Sequence, residues 1–368
     1  MKLGLVGVGG AGSRIVNQIR EHERETGRNF SDGIVLVFDT VEYDRPPSAV
    51  PRDQCISIGD THPDVGKAGV DGDVDLAAAA TREEAHDIRR MLDFVSIHEL
   101  DGVLLVAGLG GGTGGGVGPV LLEELVAAYD EPVYALGVLP GNYEDGLAAL
   151  NAARSLRSVV PAADNTFLFD NDAWTSEGEN ADEAYARANR EVAIRVTSLL
   201  GTGELESGEV AETAVDSSDV VRTLETGGVS SIGYASATID ARRDGFLGWL
   251  WDLLTGSGEE LVIDPATVNE LVRQAVTSRL TLPCDVASAE RALIVLSGPS
   301  AKLSRRGFES ARHWLEEETD TVEVRAGDEP IPGSSELTAT VALSNVTDVP
   351  RIDAIQDRAV AYQKQLTR

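Results

Sequence analysis

Gly108-Leu109-Gly110-Gly111-Gly112-Thr113-Gly114-Gly115-Gly116 follows the apolar run Val103–Ala107 and precedes a helical pattern beginning near Pro119. Seven glycines in nine residues are conformationally expensive, at ~1 kcal/mol each relative to alanine inside regular structure. Flexible linkers do not usually lie between a buried strand and a helix. Consecutive N–H groups in such a loop converge as a nest for an anion, and the Thr113 hydroxyl adds a donor. The stretch reads as a phosphate-binding turn of an α/β fold.

A second glycine cluster lies near the start. Gly7-Val8-Gly9-Gly10-Ala11-Gly12 stands between the strand-like run Lys2–Val6 and a helix-like segment at Arg14–Arg24. Gly7, Gly9 and Gly12 satisfy G-x-G-x-x-G, and Asp39 ends the second strand where the ribose-binding acid of a dinucleotide fold would sit. An NAD-linked oxidoreductase needs only one such loop and would leave the second unexplained. Two loops suggest a polyphosphate gripped from both sides.

Further strand-like runs at Ile34–Phe38, Val103–Ala107, Val133–Val138 and Thr166–Phe169 alternate with helix-like segments at Ala77–Ile97, Pro119–Tyr129 and Gly146–Val160. This alternation predicts a doubly wound, mostly parallel sheet with its ligand beyond the carboxyl ends of the strands. Ala184, Ala188, Val192 and Val196 recur at helical spacing within Asn180–Leu200, a long central helix. Later segments mix strands and helices less regularly, as in an α+β domain. The expected organisation is a nucleotide domain at 1–179, a connecting helix at 180–201 and a loop with its following helix at 202–225. An α+β domain at 226–345 and a short polar tail at 346–368 follow.

The 368 residues carry 31 basic against 61 acidic side chains, a formal charge of −30. Such a surface repels nucleic acid. Lysine occurs only at Lys2, Lys67, Lys302 and Lys364. Many carboxylates with little lysine suit molar salt, where a Debye length of ~3 Å screens self-repulsion. Cys55 and Cys284 form no motif. With no signal peptide pattern and no apolar stretch near ~20 residues, the expected location is cytoplasmic, with concentration near the inner face of the envelope an option.

The glycine runs resemble a known family. GLGGGTGGGVGP resembles the tubulin/FtsZ signature, with Gly115 where Ser or Thr is usual, and GVGGAG resembles that family's first phosphate loop, departing at Arg14 where FtsZ proteins carry asparagine. Gly66–Gly72 is similar to the third loop, which contacts the γ-phosphate. The resemblance implies nucleotide contacts at Gly9, Gly10, Ala11, Gly12, Asp39, Ala68, Gly69 and Val70. It implies the same for Gly108, Gly110, Gly111, Gly112, Thr113, Gly114 and Gly115. It also implies a ribose contact at Glu144, guanine readers at Asn171 and Asn189, and Tyr185 stacked on the base. The implied ligands are GTP and GDP with Mg²⁺ or K⁺; no protein metal ligands are assigned.

Ala214-Val215-Asp216-Ser217-Ser218-Asp219-Val220 resembles the family's seventh loop, with Ala214 replacing its asparagine. The resemblance implies that Asp216 and Asp219 are catalytic in the nucleotide site of the next subunit. The chain would then be a GTPase activated by self-assembly, polymerising head to tail. Within the superfamily, the acidity and the absence of a long tail look like the CetZ group, associated with cell shape and motility. A filament scaffold that binds GTP with little or no hydrolysis is the alternative. Phe246–Leu254, rich in tryptophan and leucine, either folds back on its own domain, makes lateral contacts between filaments or touches a membrane peripherally.

Overall fold

Leu3 and Leu5 face one side of the first strand, Val6 and Val8 the other, and both sides are buried. A strand covered on both faces needs continuous apolar sequence, not alternation. The computed structural model describes residues 1–41, 47–92, 100–175, 179–202, 215–239, 264–299, 305–321, 323–331 and 334–367. The Phe246–Leu254 segment lies outside the described residues.

The chain begins β1 (Leu3–Val8), α1 (Gly9–Thr26), β2 (Val35–Asp39), β3 (Cys55–Ser57), α2 (Val74–Glu83) and α3 (Ala85–Leu92). It continues β4 (Gly102–Gly108), α4 (Gly112–Ala128), β5 (Val133–Leu139), α5 (Gly146–Ala162), β6 (Asn165–Asp170), α6 (Asn171–Trp174) and α7 (Ala181–Leu200). Then come α8 (Ser217–Leu224), β7 (Val229–Thr238), α9 (Pro265–Thr277), β8 (Arg291–Gly298) and α10 (Arg305–Thr319). The last elements are β9 (Val324–Pro330), β10 (Glu336–Ser344) and α11 (Pro350–Leu366).

Ten described strands form one sheet in the order β3-β2-β1-β4-β5-β6-β7-β10-β8-β9. The first seven in that order run parallel. β10 is antiparallel to both β7 and β8, and β9 returns to parallel. The chain leaves β1 for β2 on one side and reaches β4 on the other. That reversal opens a crevice at the carboxyl ends of β1 and β4. The C-terminal strands are not a detached layer. They continue the N-terminal sheet through the pairs Thr166↔Val229 and Phe167↔Ser230.

Ala184, Ala188, Val192 and Val196 on α7 are all buried, as the spacing predicts. Three expectations change. The segment read as one helix from Ala77 is two, α2 and α3, within the described residues. The helix expected near Pro119 starts at Gly112, inside the glycine run. Its first turns press so closely on their neighbours that a Cβ at Gly114 would lie 2.2 Å from Gly108 O, and one at Gly116 2.4 Å from Val74 O. Finally, the expected polar tail is largely the 17-residue helix α11, started by Pro350 at a position that needs no N–H. Its buried face is Arg351, Ile355 and Ala359, too thin an apolar stripe to announce a helix.

Candidate nucleotide-binding site

Both glycine loops open into one cleft of about 330 Å³. It is lined by Gly9, Gly10 and Ala11 from the β1–α1 turn, and by Gly108, Gly110, Gly111, Gly112, Thr113 and Gly114 from the β4–α4 turn. The loops touch: a Cβ on Gly9, whose φ is +68°, would stand 3.2 Å from Gly114 N and Thr113 Cβ. Two helices, α1 and α4, therefore aim their N-termini at one space, where unpaired N–H groups and helix dipoles favour an anion.

The opposite wall carries Glu144, Asn171, Tyr185 and Asn189. Tyr185 and Asn189 share a face of α7, one turn apart. The Tyr143 hydroxyl donates to the Tyr185 hydroxyl at 2.8 Å. Glu144 Oε1 accepts from Gly141 N–H at 2.8 Å. Burial pushes the Glu144 carboxyl above its ordinary value, against the lowering effect of that bond and of Arg358 and Arg351.

Several expected contacts are placed elsewhere. Asp39 is 7% exposed and turns back to accept from Thr40 N–H at 2.8 Å, so it does not line the cleft. Gly12 is a packing glycine, since a Cβ there would meet Val106 O at 2.2 Å. Ala68, Gly69 and Val70 do not line the cleft either. Gly69, at φ +82°, packs beneath Thr40, and Val70 lies behind Gly112. The Thr113 hydroxyl pairs with Thr40 Oγ1 at 2.7 Å, tying the β2 end to the second glycine loop.

Gly115 faces the protein interior, where a Cβ would stand 2.8 Å from Ser155 Oγ and 2.9 Å from Leu109 O. Pro119, lacking an N–H, leaves Gly115 O without its helical donor. Ser155 Oγ reaches that oxygen at 3.0 Å. Restoring the family hydroxyl through Gly115→Ser should therefore overpack this spot, lowering stability by about 1–3 kcal/mol. Thermal unfolding checks it, and an unchanged or raised midpoint would contradict the packing.

Sequence reading missed three contributors. Arg14, noted from the sequence only as a departure from the family pattern, lines the cleft and is the single cationic lining residue among those described. Asn151 Nδ2 donates to Gly72 O at 2.9 Å and Gly110 O at 3.2 Å, pinning the third loop to the second. Asn151 and Ser155, four apart and both buried on α5, were a legible signal. The third is Arg351, which holds Asp170 and Pro140 O beside the cleft.

The acidic pair lies apart from the cleft lining. Asp216 caps α8, accepting from Asp219 N–H at 3.1 Å and from the Ser218 hydroxyl at 2.6 Å. The Ser218 bond, followed by those from Asp219 and Ser218 backbone, holds its carboxyl below the usual range. Asp219 pairs with Arg325 Nη1 at 3.2 Å. Ala214 lies outside the described residues.

Comparison with known proteins agrees with this geometry. Residues 2–178 match the model of the tubulin/FtsZ family GTPase domain, and residues 178–361 that of the tubulin-like CetZ C-terminal domain. The chain belongs to the tubulin/FtsZ family, with a CetZ C-terminal domain. It is 42% identical to the tubulin-like protein CetZ1 of Haloferax volcanii over 371 aligned residues, covering 100% of this chain and 93% of that one. Among solved structures, the GDP-bound CetZ1 monomer from H. volcanii superposes with a TM-score of 0.84 at 38% identity, over 99% of this chain and all of that one. The GTPγS-bound CetZ2 protofilament from the same organism gives 0.84 at 34%, with both chains fully covered. The matched GTPase domain takes in the first six strands of the chain, β1 to β6.

Proposed function

We propose that this protein binds and hydrolyses GTP and polymerises head to tail, the acidic loop of one subunit completing the site of the next. The observation that carries the reading is the convergence of two glycine loops and the Glu144, Asn171, Tyr185, Asn189 wall on a single cleft. Backbone N–H groups would receive the phosphates, Glu144 the ribose hydroxyls, and the Asn171 and Asn189 amides the donor–acceptor edge of guanine. The nucleotides named for the related CetZ1 and CetZ2 structures support that ligand class.

Strand direction supports the shared site. Asp170, the last residue of β6, abuts Asn171 at the cleft, whereas Asn165, its first residue, donates to Leu224 O at the end of α8. The helix that Asp216 caps thus ends near the opposite edge of the sheet, about 16 Å of strand away at 3.3 Å per residue. Asp216 is exposed and Asp219 partly so. Asp219 meets Arg325 near the start of β9, which runs in the same direction as β6, so the acidic pair shares that end of the strands. Placed there, it would serve a neighbour's nucleotide rather than its own. Its task is to orient the attacking water and offset charge.

Among the described residues no group of three or more His, Cys, Asp or Glu could hold a metal ion. Among the described residues the cleft lining offers one carboxylate, Glu144, so a magnesium ion would be held chiefly by the nucleotide's phosphates and by water. When bound, it would neutralise charge on the phosphate oxygens. Among the described residues no helix is long and apolar enough to cross a membrane. A role in cell shape or motility, in the cytoplasm or against the envelope, is the cellular part of the proposal.

The Asp219–Arg325 ion pair favours a second reading, a GTP-binding scaffold with little turnover. Sedimentation with GTP, GDP or no nucleotide in ~2 M KCl, where surface charge is screened, tests polymerisation. Phosphate release under the same conditions separates the readings. Turnover per subunit should rise with protein concentration; turnover independent of concentration would refute the shared site.

A further inference from the structure

The last helix reaches back to the nucleoside side of the cleft. Arg351, the second residue of α11, is 8% exposed. Its Nε donates to Asp170 Oδ1 at 2.9 Å, its Nη1 to Asn142 Oδ1 at 2.7 Å and its Nη2 to Pro140 O at 2.6 Å. Arg358, two turns later, donates to Glu144 O at 2.7 Å and Asn142 Oδ1 at 3.1 Å. Tyr362 packs so closely on Gly146 that a Cβ there would lie 2.4 Å from its ring. The β5–α5 loop is held along its length.

Two loops meet at Arg351. Pro140 and Asn142 belong to the loop carrying Glu144, and Asp170 directly precedes Asn171. Asp170 Oδ1 also accepts from Asp172 N–H at 3.1 Å, so the oxygen bound by Arg351 starts α6. A planar fork with several fixed donors spans such acceptors, whereas an ammonium cannot. None of these bonds goes to either glycine loop.

We propose that Arg351 and Arg358 are positioning residues for the nucleoside half of the ligand. The helix α11 is a strut that sets Glu144 relative to Asn171, and through them the dwell time of the bound nucleotide. This rests on the reading of the cleft as a guanine-nucleotide site. The C-terminal end of the chain thereby enters nucleotide exchange without touching the phosphates.

Truncating Arg351 would leave Asp170 buried and uncompensated, and the chain could unfold. The test therefore uses Arg351→Lys, which keeps the charge, and Arg358→Leu, at a half-buried position. Dissociation rates of GDP and of 2′,3′-dideoxy-GDP are measured for the parent and both variants by filter binding. In the parent, GDP should leave about tenfold more slowly than the dideoxy analogue, the value of one good hydrogen-bonded contact. In both variants GDP release should accelerate until the two ligands leave alike. A preserved ratio in the variants would overturn the strut, since a merely structural loss shifts both ligands equally. A parent that binds GDP without distinguishing the analogue would overturn the ribose role of Glu144. A parent that binds no GDP would overturn the reading of the cleft itself.

Discussion

An Asp219→Ala chain should bind GTP as the parent does and release phosphate about 10²–10³-fold more slowly at assembling concentrations, the usual loss when one charge-positioning group is removed. Asp219 does not line its own cleft, so nucleotide affinity of the isolated subunit has no reason to change. Its partner in the free subunit is Arg325, at 3.2 Å. That half-exposed pair is worth little to the fold. Asp216 needs a different probe, because it also caps α8. Asparagine caps a helix as well as aspartate does. A drop in hydrolysis for Asp216→Asn therefore reports the missing charge and not a frayed helix. Mixing supplies the decisive arm. Equal amounts of Asp219→Ala and of a chain with a disabled cleft should regain turnover, since some junctions then join an intact cleft to an intact acidic loop. No recovery, with both variants still co-sedimenting, would mean each subunit hydrolyses alone.

What the sequence disclosed followed from how local each cause was. The parallel sheet was readable because strands buried on both faces must be continuously apolar, as Val103–Ala107 is. The four buried positions of α7 were readable from spacing alone. The same local reading erred at Gly112, where glycine looked like loop. There the missing side chains serve the close approach of α4 to β4 and α2, a demand made by other segments. The reading of Asp39 rested on position alone, because a strand-ending acid serves a ribose or its own turn equally well. Arg351 was out of reach for a similar reason. Its three acceptors lie 181 to 211 positions away in the chain, and an arginine beginning a thin apolar stripe resembles a surface residue.

The glycines themselves divide into two kinds, and alanine should cost stability and binding at one kind but binding alone at the other. Gly114 is a packing glycine, with its would-be Cβ 2.2 Å from Gly108 O. Gly114→Ala forces the α4 backbone away from β4, so it should destabilise the fold by about 3 kcal/mol or more and abolish nucleotide binding. Gly111 differs. The nearest atom to a Cβ there is Gly108 O at 3.9 Å, and its backbone, φ −82° and ψ 158°, suits any residue. Alanine removes a little unfolded-state entropy and forfeits a little capping preference, two effects of a few tenths to ~1 kcal/mol that oppose each other. Gly111→Ala should thus melt close to the parent in the absence of nucleotide. The added methyl group nevertheless enters the cleft that Gly111 lines, where phosphate oxygens must approach the backbone N–H groups closely. Affinity for GDP by calorimetry should fall about 100-fold, near 3 kcal/mol. Parent-like affinity in Gly111→Ala would remove the phosphates from this loop, whereas a parent-like melting point in Gly114→Ala would refute the packing contact.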